Sequence, residues 1–183
     1  TFVNYVKDVC LSLAAHGFQR ILIVNGHGSN TPLVEMAARL TIVESDGRVL
    51  CASVNHWGLR KAREVTRNVR ESDFGGMSHA CELETSLYLA IQPELVQMDK
   101  AVDERSPLPP SFQTDLNLGK RADGAIATLM PYWSTMSESG VRGDATKATV
   151  AKGEQLLEGT IEGLIELIRE LKATEIRPRR DHH

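Results

Sequence analysis

Two short segments of the 183-residue sequence concentrate side chains that could do acid–base or metal chemistry. In ILIVNGHGSN, four apolar residues lead into a polar turn around His27. In SHACELETS, His79, Glu82 and Glu84 fall within six residues. Imidazole and carboxylate groups together suit zinc, manganese or iron(II), and an open position on such a metal activates a bound water. The two segments are therefore the candidates for a catalytic or metal site.

The spacing of these residues leaves their roles open. On a helix, His79 and Glu82 are three residues apart and share a face, whereas Glu84 lies well round from that face. A histidine in a loop more often makes a hydrogen bond than binds a metal. The two glutamates near a helix start could also simply complement the helix dipole. Spacing alone does not choose between a metal site and these ordinary roles.

Other catalytic chemistries have weaker signals in the sequence. Ser29 does not lie in a GxSxG elbow, so a serine esterase lacks its main motif and stays a minor alternative. The GxGxxG and GxxxxGK[ST] patterns are absent, which argues against dinucleotide or P-loop phosphate binding. Cys81 could act as a nucleophile beside His79, but a thiol one turn into a helix is more often structural.

The elements around the first segment indicate parallel βαβ construction. Apolar residues at helical spacing predict a first helix that Gly17 ends, and Arg20–Val24 reads as a buried strand. A second helix opens near Thr31, and residues 48–57 form the next strand. Because open α/β sheets place their chemistry at the carboxyl ends of the strands, His27 is well placed for function.

The rest of the chain gives less regular signals. Residues 58–78 are charged and then glycine-containing, with no element predicted. Further along we predict a helix over about His79–Ile91, a long loop over Lys100–Asp123, a third strand in AIATLMPYW (residues 125–133) and a last helix over about Thr146–Ala173.

Composition is typical of a soluble globular protein. Hydrophobic residues make up 42% and charged residues 25%, and the formal net charge is -3, so nothing indicates a nucleic-acid or membrane partner. No apolar run approaches the ~20 residues of a membrane span. Three cysteines without a CxxC pattern predict a reduced, cytoplasmic protein, with Cys10 and Cys51 as small core residues.

Three motifs together resemble the creatininase (creatinine amidohydrolase) family. They are VNGHGSN, HACELETSLYLAIQPELVQMDKA and SGVRGDATKATVAKGEQLL, in the family's order. The resemblance implies a layered α/β fold with a mainly parallel sheet flanked by helices, over residues 1–174 as one domain, followed by a basic tail at 175–183. It also implies a homo-oligomer, a hexamer by family pattern, with two divalent ions (Zn, Mn or Fe) per complete active site.

The activity that this resemblance implies is hydrolysis of a non-peptide C–N bond in a small amide, formamide or cyclic amide by a metal-bound hydroxide. His27 matches the family's metal-ligating histidine, His79 its acid–base histidine, and Glu84 a glutamate of the catalytic pocket. Creatininase itself has an acidic ligand where this chain has Ser29. We therefore expect Glu82 to supply that carboxylate as a metal ligand.

Several features depart from the family pattern or leave alternatives. Cys81 replaces the motif glycine, and Ala145 replaces the proline of the GDP loop. Trp57 and Ser29 are expected to line the substrate pocket, although ordinary core packing explains Trp57 equally well. The family's first motif, a Glu-x-His pair and a downstream Asp, is not found in the sequence, which suggests an N-terminally truncated chain. The alternative function is a non-catalytic homologue or structural subunit of an oligomer.

Overall fold

The structure is a computed structural model that describes residues 1–116 and 127–180 of the chain. Two compact units make up the chain: unit 1 contains Thr1–Leu59 with Gly163–His183, and unit 2 contains Arg60–Glu162. Within the described ranges, no helix combines the length and apolar character that a membrane span needs. The expectation of a single domain over residues 1–174 stays a prediction.

Unit 1 contains the predicted parallel βαβ arrangement. Its elements are α1 (Phe2–Ala15), β1 (Arg20–Asn25), α2 (Thr31–Glu44) and β2 (Leu50–Asn55). The two strands pair in parallel and in register, from Arg20 opposite Leu50 to Asn25 opposite Asn55. Gly17 follows α1 with a φ of 93°, a conformation that glycine adopts without steric strain. The carboxyl ends of both strands therefore lie at one edge of the sheet.

A small hydrophobic core holds these elements together. Cys10 of α1, Ile21 of β1, Ala38 of α2 and Cys51 of β2 are buried against one another. Burial and the neighbouring Cys10 raise the pKa of the Cys51 thiol to about 12, so this thiol stays neutral at physiological pH. The prediction that Cys10 and Cys51 are core residues is confirmed.

Unit 2 contains an antiparallel sheet and helices around it. Its elements are α3 (Arg60–Val69), β3 (Met77–His79), α4 (Glu82–Ile91), β4 (Asp103–Glu104) and β5 (Arg142–Asp144), and α5 (Val150–Ala173) begins in this unit. The strand order is β3-β5-β4, and both pairings are antiparallel. The sequence analysis did not anticipate this sheet.

The α/β fold class is confirmed, while several predicted elements are wrong. His79 ends strand β3 and does not begin the helix, so it does not share a helix face with Glu82. The strand predicted over residues 125–133 is not present at 127–133, where the chain is irregular and then forms a 3₁₀ turn at Trp133–Thr135. Residues 125–126, and 117–123 of the predicted long loop, lie outside the described residues. The last helix starts four residues later than predicted, at Val150.

Helix α5 approaches α4 closely through a glycine. A Cβ added at Gly153 would overlap with the carbonyl oxygen of Ser86 in α4, and would lie 2.8 Å from the Cβ of Ala90. Because backbone atoms cannot rotate out of the way, any larger residue at Gly153 must separate the two helices. At Gly159 the nearest atom is instead the side chain of Val65, at 2.7 Å.

We expect Gly153→Ala to lower the free energy of unfolding by about 1–3 kcal/mol, the usual effect of overpacking. This loss occurs although alanine favours a helix over glycine by about 1 kcal/mol. Gly159→Ala is the matched control in the same helix, with a smaller effect because the nearest backbone atom there, the carbonyl oxygen of Lys61, is 3.2 Å from the added Cβ. Urea unfolding of both variants measures the difference, and a more stable Gly153→Ala protein would contradict the close packing.

Candidate functional site

A buried asparagine fixes the turn that follows β1. The Nδ2 of Asn25 donates to the carbonyl oxygen of His27 at 2.8 Å and to Oδ1 of Asn55 at 2.7 Å. Thr31 donates its hydroxyl to the same Asn55 oxygen at 3.1 Å. Asn25 and Asn55 are register partners at the carboxyl ends of β1 and β2. This network holds the backbone of His27 in place without using its imidazole.

The His27 side chain is exposed at this edge of unit 1. Within the described residues, its ring nitrogens have no hydrogen-bond partner, and its backbone is extended, with φ -142° and ψ 129°. Ring nitrogens without a protein partner leave the imidazole available to a metal ion, which binds neutral imidazole. Ser29 lies two residues further on and is also exposed, in the 3₁₀ turn Gly28–Asn30.

Trp57 follows β2 and is largely buried, with 7% of its surface exposed. Its ring meets the His56 ring edge-on at a centroid distance of 5.0 Å. Burial lowers the pKa of His56, because desolvation disfavours the charged imidazolium. As a pocket wall Trp57 could present only an edge to a substrate, so the expectation that it lines the pocket stays a prediction.

In unit 2, an unusual turn places His79 at the end of β3. Ala80 has a positive φ of 46°, which costs about 1–2 kcal/mol for a residue with a Cβ. Glu84 reaches back over the first turn of α4 and accepts from the Ala80 amide at 2.6 Å. Thr85 donates its hydroxyl to the Ala80 carbonyl at 3.1 Å. The first turn of α4 thus stabilises the strained residue that orients His79.

The His79 imidazole packs against the indole of Trp133. The two ring centroids are 4.5 Å apart with an interplanar angle of 70°, an edge-to-face arrangement. His79 is half-buried, and in the described parts of the chain its nitrogens have no hydrogen-bond partner. This edge-to-face contact holds the ring in place and leaves its nitrogens free. Such a ring is suited to exchanging a proton with a bound molecule.

Glu82 is fully buried at the start of α4 and has three hydrogen-bond donors. Its carboxylate accepts from the backbone amides of Glu71 and Ser72, each at 2.9 Å, and from Nζ of Lys152 at 2.7 Å. Burial alone would raise the pKa of Glu82, but the bonds from Lys152, Ser72 and Glu71 outweigh it and hold the pKa below its ordinary value. This carboxylate is therefore ionised at neutral pH, and the protein itself supplies three donors to it.

Cys81, between these residues, is fully buried. Burial, and then the nearby charge of Glu84, raise the pKa of its thiol to about 12. Since the thiolate is the reactive form, this cysteine does not act as a nucleophile at neutral pH. The structural interpretation of Cys81 is therefore the one that the geometry supports.

The candidate residues form two groups, one in each unit. His27, Ser29 and Trp57 belong to unit 1, whereas His79, Glu82 and Glu84 belong to unit 2. That the two groups serve one centre stays a prediction. Asn25 and Asn55 were not predicted as site residues, although each ends its strand directly after a valine. The sequence analysis also missed Trp133, which no local pattern connects to His79.

The donor set tests whether a metal fits the described residues. His27 fits a ligand, since its imidazole is exposed and free. Glu82 does not fit in this conformation, since an ion would have to displace Lys152 from its carboxylate. Among residues 1–116 and 127–180, no three histidine, cysteine or acidic side chains are grouped for metal binding. The described residues alone do not supply the ligands of a two-metal centre.

Taken together, the molecule is an α/β protein with one histidine in the turn after β1, another at the end of β3, and two glutamates in the first turn of α4. The chain belongs to the creatininase family, because the family described as creatinine amidohydrolase matches residues 1–168. The structure is similar to a mutant creatininase complexed with creatine, with TM-score 0.73, 25% identity and coverage of 94% of this chain and 65% of the other. It is also similar to a manganese form of creatininase, with TM-score 0.72, 25% identity and coverage of 94% and 64%.

Two relatives in sequence carry the names of an amidohydrolase and a peptidase. The creatinine amidohydrolase of Pseudomonas putida is 29% identical, over 93% of this chain and 62% of its own length. A mycofactocin precursor peptide peptidase of Mycolicibacterium smegmatis is 30% identical, over 82% of this chain and 49% of its own length. The chain thus spans 62% and 49% of the lengths of these two relatives.

Proposed function

We propose that this chain forms part of a metal-dependent amidohydrolase that acts on a non-peptide C–N bond in a small amide, formamide or cyclic amide. Family membership supports amidohydrolase activity in general. The observation that carries the proposal is the geometry of His79. Its ring nitrogens are free, and the edge-to-face contact with Trp133 and the Ala80 turn fix the position of the ring. In this proposal His79 delivers a proton to the leaving nitrogen.

The other candidate residues take supporting roles in the proposal. Glu84 holds the Ala80 turn and so positions His79. His27 is a ligand for a divalent ion, which one solved creatininase of the zinc–zinc type and another with manganese lead us to expect. Ser29, two residues from His27 and also exposed, contacts the substrate in this proposal. Glu82 remains a predicted ligand, but its three donors support a structural role instead.

A substrate panel with metal removal tests this function. We expect cyclic amides or formamides to be hydrolysed, activity to be lost after dialysis against a chelator, and zinc or manganese to restore it. The control is the same protein carried through dialysis without chelator. Activity that survives chelation but is blocked by a serine-directed phosphonate would replace the proposal with a serine esterase.

The peptidase relatives make peptide cleavage a second arm of the panel. A short peptide substrate should be a poorer substrate than the small amides if the proposal is correct. Hydrolysis of peptides alone would overturn the non-peptide assignment while leaving amidohydrolase chemistry in place. A correctly folded, metal-loaded protein with no activity on any substrate would favour the non-catalytic alternative.

A further inference from the structure

Arg142 carries a buried positive charge without an acidic partner. The residue is 9% exposed, and its Nη2 donates to the neutral hydroxyl of Ser106 at 3.2 Å. Its Nε is buried without a hydrogen-bond partner. In the part of the chain that the structure describes, no carboxylate lies within ion-pair distance of this guanidinium. Burial accordingly lowers the pKa of Arg142, although arginine remains charged at neutral pH.

Other arginines of unit 2 show the contrast. The Arg70 side chain is also largely buried, and it forms a two-pronged ion pair with Asp115 at 2.6 and 2.7 Å. Arg105 pairs with Asp103. A buried charge without a counter-ion is unfavourable, because desolvation is not offset by a partner. Of these three arginines, only Arg142 lacks a carboxylate partner among the described residues. A bound anionic molecule would supply that counter-ion.

The surroundings of Arg142 lead to the proposed catalytic histidine. Arg142 in β5 is the register partner of His79 in β3. The guanidinium carbon lies 6.0 Å from the centroid of the Trp133 ring, and the same indole contacts the His79 imidazole at 4.5 Å. We call Arg142, Trp133 and His79 the arginine cluster. It combines a cation, a flat aromatic surface and a free imidazole.

We propose that the arginine cluster binds a substrate carboxylate, with Arg142 as its counter-ion and His79 beside the bond to be broken. The planar guanidinium matches the two oxygens of a carboxylate better than it matches a spherical anion. This inference rests on the proposed function and narrows its substrate class to amides that also carry a carboxylate. Trp133, 41% exposed, covers the flat face of the bound group.

Binding of two matched probes to metal-free protein tests the inference. N-acetylglycine carries an amide and a carboxylate, and N-acetylglycinamide is its neutral counterpart. The indole N–H signal of Trp133 in the NMR spectrum is the readout, assigned by comparison with Trp57→Phe. We expect saturable shifts with N-acetylglycine and none with the neutral amide at the same concentration. Inorganic phosphate is the third arm, and we expect it to bind more weakly than N-acetylglycine.

Variants of Arg142 test whether the shift of the Trp133 indole signal reports binding of the carboxylate to Arg142. Arg142→Gln should weaken N-acetylglycine binding at least about tenfold, the range of a lost charge-assisted bond, and Arg142→Lys should retain part of it. Arg105→Gln, at an arginine that already has a carboxylate, is the matched control and should bind like the unaltered protein. Thermal unfolding establishes that each variant is folded. If Arg142→Gln does not fold, the affinity of Arg142→Lys for N-acetylglycine still tests the inference.

Several outcomes would overturn the inference. Equal binding of the charged and neutral probes, unchanged affinity in Arg142→Gln, or tighter binding of phosphate would each remove the carboxylate site. Arg142 would then be a structural cation over Trp133. Because the titration needs neither metal nor turnover, it can succeed where the proposed hydrolase activity fails. It can equally fail in a protein that hydrolyses neutral amides.

Discussion

Replacing His79 with alanine is expected to lower kcat by about 10²–10⁴-fold in the full-length, metal-loaded form of the proposed amidohydrolase. This is the usual range for the loss of a general acid–base side chain. Metal content and thermal stability should change little, since the imidazole makes no hydrogen bond within the described residues and packs mainly on Trp133. Steady-state kinetics together with metal analysis of the purified variant measures both quantities.

Rescue by an added base separates proton transfer from a structural role. Added imidazole should restore part of the rate of His79→Ala, because it can replace the missing proton donor. His16→Ala is the control: this exposed histidine ends α1 and bonds to the carbonyl of Ser12 in its own helix. A slow His79→Ala enzyme that imidazole does not rescue would mean that the ring only supports the fold.

Replacing Glu82 with alanine should lower the free energy of unfolding by about 3–5 kcal/mol, the usual loss when one partner of a buried ion pair is removed. The change leaves Nζ of Lys152 and the amides of Glu71 and Ser72 without their shared acceptor. Urea unfolding of metal-free protein is the decisive measurement. If Glu82 acted only as a metal ligand, its loss would not alter the stability of the metal-free protein.

Glu71 provides a matched control, because it pairs with the same lysine as Glu82. Nζ of Lys152 also contacts Oε1 of Glu71 at 2.6 Å, but the Glu71 side chain is 60% exposed. Since exposed ion pairs contribute about 0–1 kcal/mol, Glu71→Ala should have a small effect. Equal destabilisation by the two substitutions would contradict the importance of burial at Glu82.

The effect of Glu82 should also depend on pH in a known direction. Its pKa is lowered in the folded protein, where the bonds from Lys152 and two amides outweigh the effect of burial. The stabilisation is therefore fully present above the unfolded pKa of about 4.3, and is lost as pH falls through the lower folded value. The stability difference between the unaltered protein and Glu82→Gln should shrink accordingly in acid.

Much of unit 1 could be predicted because its elements are long and periodic. Helices α1 and α2 each span fourteen residues, and β1 is a nearly unbroken run of branched apolar residues. The strands of unit 2 have two or three residues each, too few for any period to show. Helix α3 was missed because its segment, RKAREVTRNV, is mostly polar and buries only Ala62 and Thr66.

The arrangement of side chains in the candidate site could also be predicted only in part from the sequence. The motifs identify His27 and His79, but the sequence could not show that the positive φ of Ala80 separates His79 from the following helix. Spacing along an assumed helix therefore placed His79 and Glu82 on a shared face. Arg142 could not be recognised either, since arginine is normally exposed and its burial follows from the pairing of β3 with β5.

The distribution of the three cysteines has a practical consequence. All three are free and buried, with Cys10 and Cys51 in unit 1 and Cys81 in unit 2. Thiol reagents need an accessible thiolate, so a cysteine reacts only when the structure around it opens. Each unit thus contains its own internal reporter of local opening, and labelling rates can compare the opening equilibria of the two units without any added probe.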